Sequence, residues 1–374
     1  MLKLCTCVMV AAFAAAAAGQ PAAVSQPGAP AAKLDVAHAQ TLGIGDRAPS
    51  LEGVKWLAGD ALGAASRGGA EGKSGVTVVA FWSSWSAASR EAMRVLGRVQ
   101  RENKEQGVRV GAVCVWPRDK NEDCSGLIAK WSQRWPIALG TDMEGAAAKR
   151  WLDAAGRESV PMAFVIGADG NVAWIGSPFE GLGEIVRRAV AGTLDSAATK
   201  RRLERTQRLD ELAGKSMIPG ALALTEQLLS EDGALFGYLA GFKFRLLLRE
   251  REASVSAFAF AREAMQTYLK DNPEELNALA CAILDHKDRD VSLALEMARR
   301  AASVLEAARD EDASVLDTLA RAEHEHGDTE AAIATQERAV ALADEGRMKK
   351  TMQKRLEKYK AAGGVQGPPK ISGQ

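Results

Sequence analysis

The sequence predicts an α/β domain, a central mixed sheet flanked by helices, followed by an all-α helical-repeat domain. Three observations carry this expectation. Between residues 42 and 195 short apolar, β-branched runs (76–82, 108–116, 160–166) alternate with helical patterns. All 8 tryptophans fall between residues 56 and 174. From residue 196 to 362 the composition turns to Ala, Leu, Glu and Arg at helical spacing with no strand-like run, which sets a domain boundary near residue 195.

A chain of 374 residues is long enough for two domains with proper cores. Its 48 basic and 48 acidic residues cancel, so no net field draws it to nucleic acid or to a membrane surface. Lys3, an alanine-rich apolar run over 4–18 and the small residues Ala17-Ala18-Gly19 read as a secretory signal over 1–19. That run is short for a membrane span, and the Pro/Ala/Ser/Gln segment after it reads as a flexible linker to residue 41. The expected location is therefore periplasmic or otherwise extracytoplasmic, with no membrane span once the signal is removed. Residues 363–374 are Gly/Pro-rich and expected to be disordered.

In chain order, Gly45-Asp46-Arg47-Ala48-Pro49 opens the α/β domain, and the Gly/Ala/Ser-rich stretch 58–75 reads as a surface loop. The apolar run 76–82 predicts a buried central strand, 83–88 a turn, and 89–105 an amphipathic helix with Met93, Leu96 and Val99 on one side. A second core strand follows over 108–116, then a polar turn over 118–123 and a helix containing 131–135 that stops at Pro136. Residues 137–139 begin a short element, and 146–152 are helical. Two apolar runs around Ala168-Asp169-Gly170-Asn171 predict a β-hairpin over 160–176, and 181–193 the closing helix.

In the second half, Leu316, Leu319 and Ala320 line one helix, Gly327-Asp328 makes a turn, and Ala332, Ile333 and Ala339 line the next. Leu276, Leu279, Ala280 and Ile283 with Ala294, Leu295, Ala298 and Ala301 give a second such pair. Looser pairs precede them (196–212 with 221–229, 234–248 with 255–268), and 347–361 reads as the helix that caps the stack. These units resemble tetratricopeptide repeats.

The run Phe81-Trp82-Ser83-Ser84-Trp85-Ser86-Ala87-Ala88-Ser89-Arg90 resembles the active-site strand and helix of thioredoxin-fold proteins, particularly the extracytoplasmic thiol–disulfide oxidoreductases of the TlpA/ResA type. Both tryptophans and the closing arginine of that frame are kept. Ser86 and Ser89 stand where the family has its two thiols. Ala80 stands where many thioredoxins carry a buried carboxylate. Gly45 to Pro49 is similar to the family's opening, and Val160-Pro161 to its cis-proline, whose backbone would offer an extended peptide a strand-like docking edge. The resemblance implies that one of Trp82 and Trp85 packs under the turn and that the other lies beside it, partly exposed. The alternative is that these two tryptophans and Pro161 serve the fold alone.

The two serines decide the chemistry. Disulfide exchange needs a thiolate to attack sulfur and a second thiol to resolve the mixed disulfide. A serine hydroxyl does neither, so the site is degenerate. Serine hydrolysis needs a neighbouring base, and none of His38, His286, His324 and His326 lies in the α/β domain. No paired Cys or His spacing suits a metal, and Gly68, Gly69 and Gly72 lack the spacing of a phosphate loop, so no cofactor is expected. With Cys5 and Cys7 inside the signal, Cys114, Cys124 and Cys281 remain, an odd number for an oxidising compartment. Cys114 and Cys124 are read either as a disulfide or, the preferred account, as Cys114 packing like a small hydrophobe; Cys281 is read as packing. The functional expectation is a redox-inactive protein- or peptide-binding module. The alternatives are an oxidoreductase that uses Cys114 and Cys124 as a displaced pair, and a purely structural role.

Overall fold

The structure, a computed structural model, describes residues 41–63, 74–118, 124–249, 254–343 and 346–363. The signal, the linker up to residue 40 and the tail from 364 lie outside the described residues, as do Gly68, Gly69 and Gly72. The described residues form two compact units that divide between Met217 and Ile218.

In the first unit strand β2 (Thr77–Trp82) is buried at every position. It lies between β3 (Arg109–Cys114), which runs parallel to it, and β5 (Met162–Ile166), which runs antiparallel. Outside these lie β4 (Ala138–Thr141), parallel to β3, then β1 (Lys55–Ala58), antiparallel to β4; β6 (Val172–Gly176) closes the other side as a hairpin with β5. The strand order is β1-β4-β3-β2-β5-β6. With helices α1 (Ala87–Glu102), α2 (Ser125–Ser132) and α3 (Ala146–Trp151) between the strands and α4 (Leu182–Val190) after β6, this is a thioredoxin-like fold.

Side chains alternate across a strand, so consecutive residues of β2 build opposite faces. Phe81 joins Trp151 and Phe164, with ring centroids 6.0 and 5.8 Å from its own. Trp82 points to the other face and meets Trp131 of α2 at 4.7 Å, which in turn meets Trp135 at 5.7 Å. The expected stripe of α1, Met93, Leu96 and Val99, is buried. Gly97 on the same helix has a packing reason: a Cβ there would lie 2.5 Å from Cδ1 of Trp135.

Two elements differ from the sequence reading. Strand β1 falls where no strand was expected, because its residues alternate between exposed and half-buried and its partner β4 is about eighty residues away in the chain. Helix α5 (Ser196–Gly214), read as the first repeat helix, belongs to the sheet unit. It packs on β6, places Leu203 against the sheet's core, and donates a hydrogen bond from Arg202 Nη2 to the Glu180 carbonyl at 3.1 Å. The opening segment is tied to the same edge by Gly45 N–H to the Val172 carbonyl and Val172 N–H to the Asp46 carbonyl, at 2.7 and 2.8 Å.

The second unit is helical: α6 (Ile218–Glu231), α7 (Gly233–Phe236), α8 (Leu239–Leu247), α9 (Ser254–Gln266), α10 (Pro273–Asp285), α11 (Val291–Ala307), α12 (Ala313–His326), α13 (Thr329–Leu342) and α14 (Arg347–Ala362). Asn272, Asp290, Asp312 and Asp328 each cap the start of the next helix by accepting a backbone N–H, which fixes where α10 to α13 begin. Small residues at the facing positions, Ala280, Ala298, Ala320 and Ala332, are fully buried and let the helices approach closely. Helix α14 buries Met352 and Tyr359, and Arg355 pairs with Asp317 of α12. Cys281 is buried against Thr318 Oγ1 at 3.1 Å, in keeping with a packing role.

Glu180 lies between β6 and α4, half-buried, and burial pushes its carboxyl from the usual 4.5 up to about 7. Asp210 on α5 adds to the rise, while the Ser177 backbone, Arg202 and Arg157 oppose it. Folding therefore favours the protonated acid: the contribution to stability is complete below pH 4.5 and disappears as pH rises through about 7. Thermal melts between pH 4 and 8 are expected to show wild type losing stability across that window and Glu180→Gln losing less of it. Gly97→Ala is expected to destabilise the fold by about 1–3 kcal/mol in urea, the usual cost of overpacking.

Candidate functional site

The C-terminal end of β2 turns through Ser83, Ser84 and Trp85 into α1. Residue 86 takes extended backbone angles (φ −85°, ψ 117°), and its Oγ accepts the Ser89 N–H at 3.1 Å, so Ser86 is the N-cap of the helix. The helix accordingly begins two residues earlier than its hydrophobic stripe indicates. Ser89 is fully buried, and its Oγ accepts the Ser83 N–H at 3.2 Å. Ser83 in turn donates from Oγ to the Val115 carbonyl at 2.6 Å, stitching the turn to the end of β3. Ser86 and Ser89 thus both use their hydroxyl oxygens to hold the backbone of the turn. Ala80 is buried between Ala112 and Ala163, with no carboxylate in that row of the sheet.

The two tryptophans separate in role. Trp82 is fully buried, whereas Trp85 is 40% exposed. The Trp85 indole is nevertheless held: Nε1 donates to the Trp116 carbonyl at 2.8 Å, and the Arg118 guanidinium carbon lies 5.6 Å from the ring centroid. Arg90 reaches back to the Ser84 carbonyl at 2.9 Å. On the other side of β2 the Val160–Pro161 peptide is cis, directly before β5, with Val160 half-buried and Pro161 buried. Because Phe81 pairs with Met162, Pro161 lies beside the end of β2 where the turn begins.

Cys114 and Cys124 form a disulfide, with a Cα separation of 6.8 Å. This corrects the preferred reading of Cys114 as a packing residue. The strand cysteine is buried, but Cys124 sits at the N-terminus of α2, which packs on β1 and β4 and sets Trp131 against Trp82, bringing the two sulfurs together. Their exposures, 1% and 2%, leave neither sulfur open to an attacking thiolate. Of the site residues the sequence indicates, Ser86, Ser89, Trp82, Trp85, Val160 and Pro161 gather around the end of β2, and the disulfide lies one strand away. Ser83, Trp116 and Arg118 went unnoticed in the sequence. Trp116 closes an apolar run and Arg118 opens a polar turn, and neither carries a local signal for its contact with Trp85.

Among the described residues no group of three or more His, Cys, Asp or Glu side chains is placed to hold a metal ion. No histidine stands among the described residues of this unit, so Ser86 has no imidazole base. Among the described residues no helix is long and apolar enough to cross a membrane.

No family model matches the chain, and no curated protein matches it. Among solved structures it is similar to a putative thiol:disulfide interchange protein DsbE from Chlorobium tepidum, with 22% identity, 40% of this chain and 99% of that chain covered, and a TM-score of 0.30. It is also similar to a thiol:disulfide interchange protein from Bacteroides sp. (18% identity, 41% and 91% covered, TM-score 0.31) and to StoA from Bacillus subtilis (15%, 31% and 83%, 0.25). At scores this low the fold is read from the strand order, and nothing of those proteins' chemistry carries across.

Ser86→Ala is expected to cost about 1 kcal/mol, the usual value of an N-cap side chain. Ser89→Ala leaves the buried Ser83 N–H without its acceptor, at about 1–3 kcal/mol. Urea unfolding of the two variants checks this order, with Ser89→Ala at least as destabilised as Ser86→Ala.

Proposed function

We propose that this chain is an extracytoplasmic thioredoxin-fold protein that binds an extended segment of a protein partner at the degenerate site and does not exchange disulfides. The observation that carries the reading is the use made of Ser86 and Ser89: each oxygen accepts a backbone N–H of the turn, a structural task that replaces the attack on sulfur. The partly exposed Trp85 supplies an aromatic anchor whose indole is already fixed, so little rotamer freedom is lost on binding. The backbone before Pro161 supplies the strand-like edge. The signal read over residues 1–19 and the disulfide both suit an oxidising compartment. The helical unit, with its tetratricopeptide-like pairs and capping helix, is proposed to bind a protein partner on its own surface.

The second reading, an oxidoreductase using Cys114 and Cys124, gains support from the existence of that bond and loses it through the burial of both sulfurs. Insulin reduction by the purified protein separates the two. The expected result is turnover no higher than that of Cys114→Ser; cysteine-dependent turnover overturns the binding reading. Fluorescence anisotropy with labelled, reduced and carboxymethylated lactalbumin, an unfolded polypeptide without free thiols, tests binding directly. Trp85→Ala is expected to weaken it by about tenfold, the scale of a truncated aromatic anchor. An unchanged affinity removes Trp85 from the site.

A further inference from the structure

The Cys114–Cys124 disulfide encloses the segment that holds Trp85. Trp116, whose carbonyl accepts the Trp85 indole N–H, and Arg118, which lies over its ring, both fall between the two cysteines. Trp116 has φ +51°, in the left-handed region that a bulky side chain rarely adopts. Such a conformation costs on the order of 1–3 kcal/mol and persists only where the surroundings impose it. The chain leaves Trp116 at one end of β3 and must return to α2 at Cys124, so the disulfide is one of the constraints that keep this carbonyl aimed at Trp85.

A second observation lies in the sheet. Trp82, Cys114 and Thr141 are register partners across the parallel strands β2, β3 and β4, so their side chains share one face in a single row. Trp82 Nε1 and Thr141 Oγ1, on either side of Cys114, are both buried without a hydrogen-bond partner. A disulfide has no hydrogen to donate. A thiol has one to offer Thr141 Oγ1. The row thus holds, in Thr141 Oγ1, an acceptor that a reduced Cys114 can serve and the disulfide cannot.

We infer that the Cys114–Cys124 disulfide is a redox-sensitive clip that positions Trp85: oxidised, it presents the aromatic anchor; reduced, it releases it. The value of this for partner binding rests on the function proposed above. The reductant is a dithiol. Its thiolate attacks one sulfur, the Cys114–Cys124 bond breaks and a mixed disulfide forms; the reductant's second thiol then displaces the cysteine. Two electrons and two protons pass to the protein as two cysteine thiols, and the dithiol leaves as a cyclic disulfide. Because both sulfurs are buried, the exchange requires local opening of the segment.

The indole region of a ¹H–¹⁵N spectrum of the full chain tests the clip, with Trp85 assigned among the 8 tryptophans by its absence in Trp85→Phe. On reduction with dithiothreitol, verified as two additional thiols per chain, the Trp85 indole proton is expected to move upfield as its hydrogen bond is lost. Cys114→Ser/Cys124→Ser is expected to reproduce the Trp85 shift without reductant, and decides the matter if the native bond resists dithiothreitol. A Trp85 resonance that stays in place in the reduced chain or the double variant overturns the clip. So does loss of the far-ultraviolet circular dichroism of the fold, which would make the bond a staple of the whole domain. A Trp85 shift with no change in lactalbumin affinity supports the clip and overturns the binding reading instead.

Discussion

Strand β2 is buried on both faces and hydrogen-bonded on both edges, and the site follows from that constraint. A strand so enclosed has one register against β3 and one against β5, since a slip by one residue would exchange Phe81 and Trp82 between the two aromatic clusters. The fixed register brings the end of β2, the end of β3 and the start of β5 to one level. Ser83, Val115 and Pro161 meet there because their strands stop there. The helix that follows can begin in only one place, where Ser86 reverses the chain direction and caps it.

The polar groups of this end of the sheet serve the backbone. In a working thioredoxin-type site the resemblance places two sulfurs and a carboxylate where this chain has two hydroxyls and a methyl. The hydroxyls accept N–H groups that a tight strand-to-helix turn would otherwise leave unpaired, which is costly in a buried position. The Cys114–Cys124 disulfide lies one strand away and brackets Trp116, whose carbonyl holds the Trp85 indole.

The sequence made much of this legible where the signal is local. The apolar run of β2, the Asp-Gly turn of the β5–β6 hairpin and the small-residue spacing of α10 to α13 are each encoded within a dozen residues. Strand β1 was not legible: Lys55 to Ala58 is half-exposed and short, and it becomes a strand through a partner far along the chain. The place of α5 was hidden for a related reason. Its composition matches the repeat helices after it, and what attaches it to the first unit is tertiary: its packing on β6, with Arg202 and Leu203 meeting Glu180 and the sheet core. In the site, Ser86 and Ser89 were visible as substitutions, but their hydrogen bonds were not, because they depend on the backbone angles at the turn.

What the sequence by itself determined is the thioredoxin-like and helical order of the chain and the absence of thiols at residues 86 and 89, since periodicity and residue identity are properties of the chain alone. Only the tertiary structure decided that Cys114 and Cys124 are joined and that Trp85 is tethered to Trp116. Two sulfurs ten positions apart, or an indole and a carbonyl thirty-one apart, meet through the pairing of β2 with β3 and the packing of α2 across the sheet, and no local pattern records that distance.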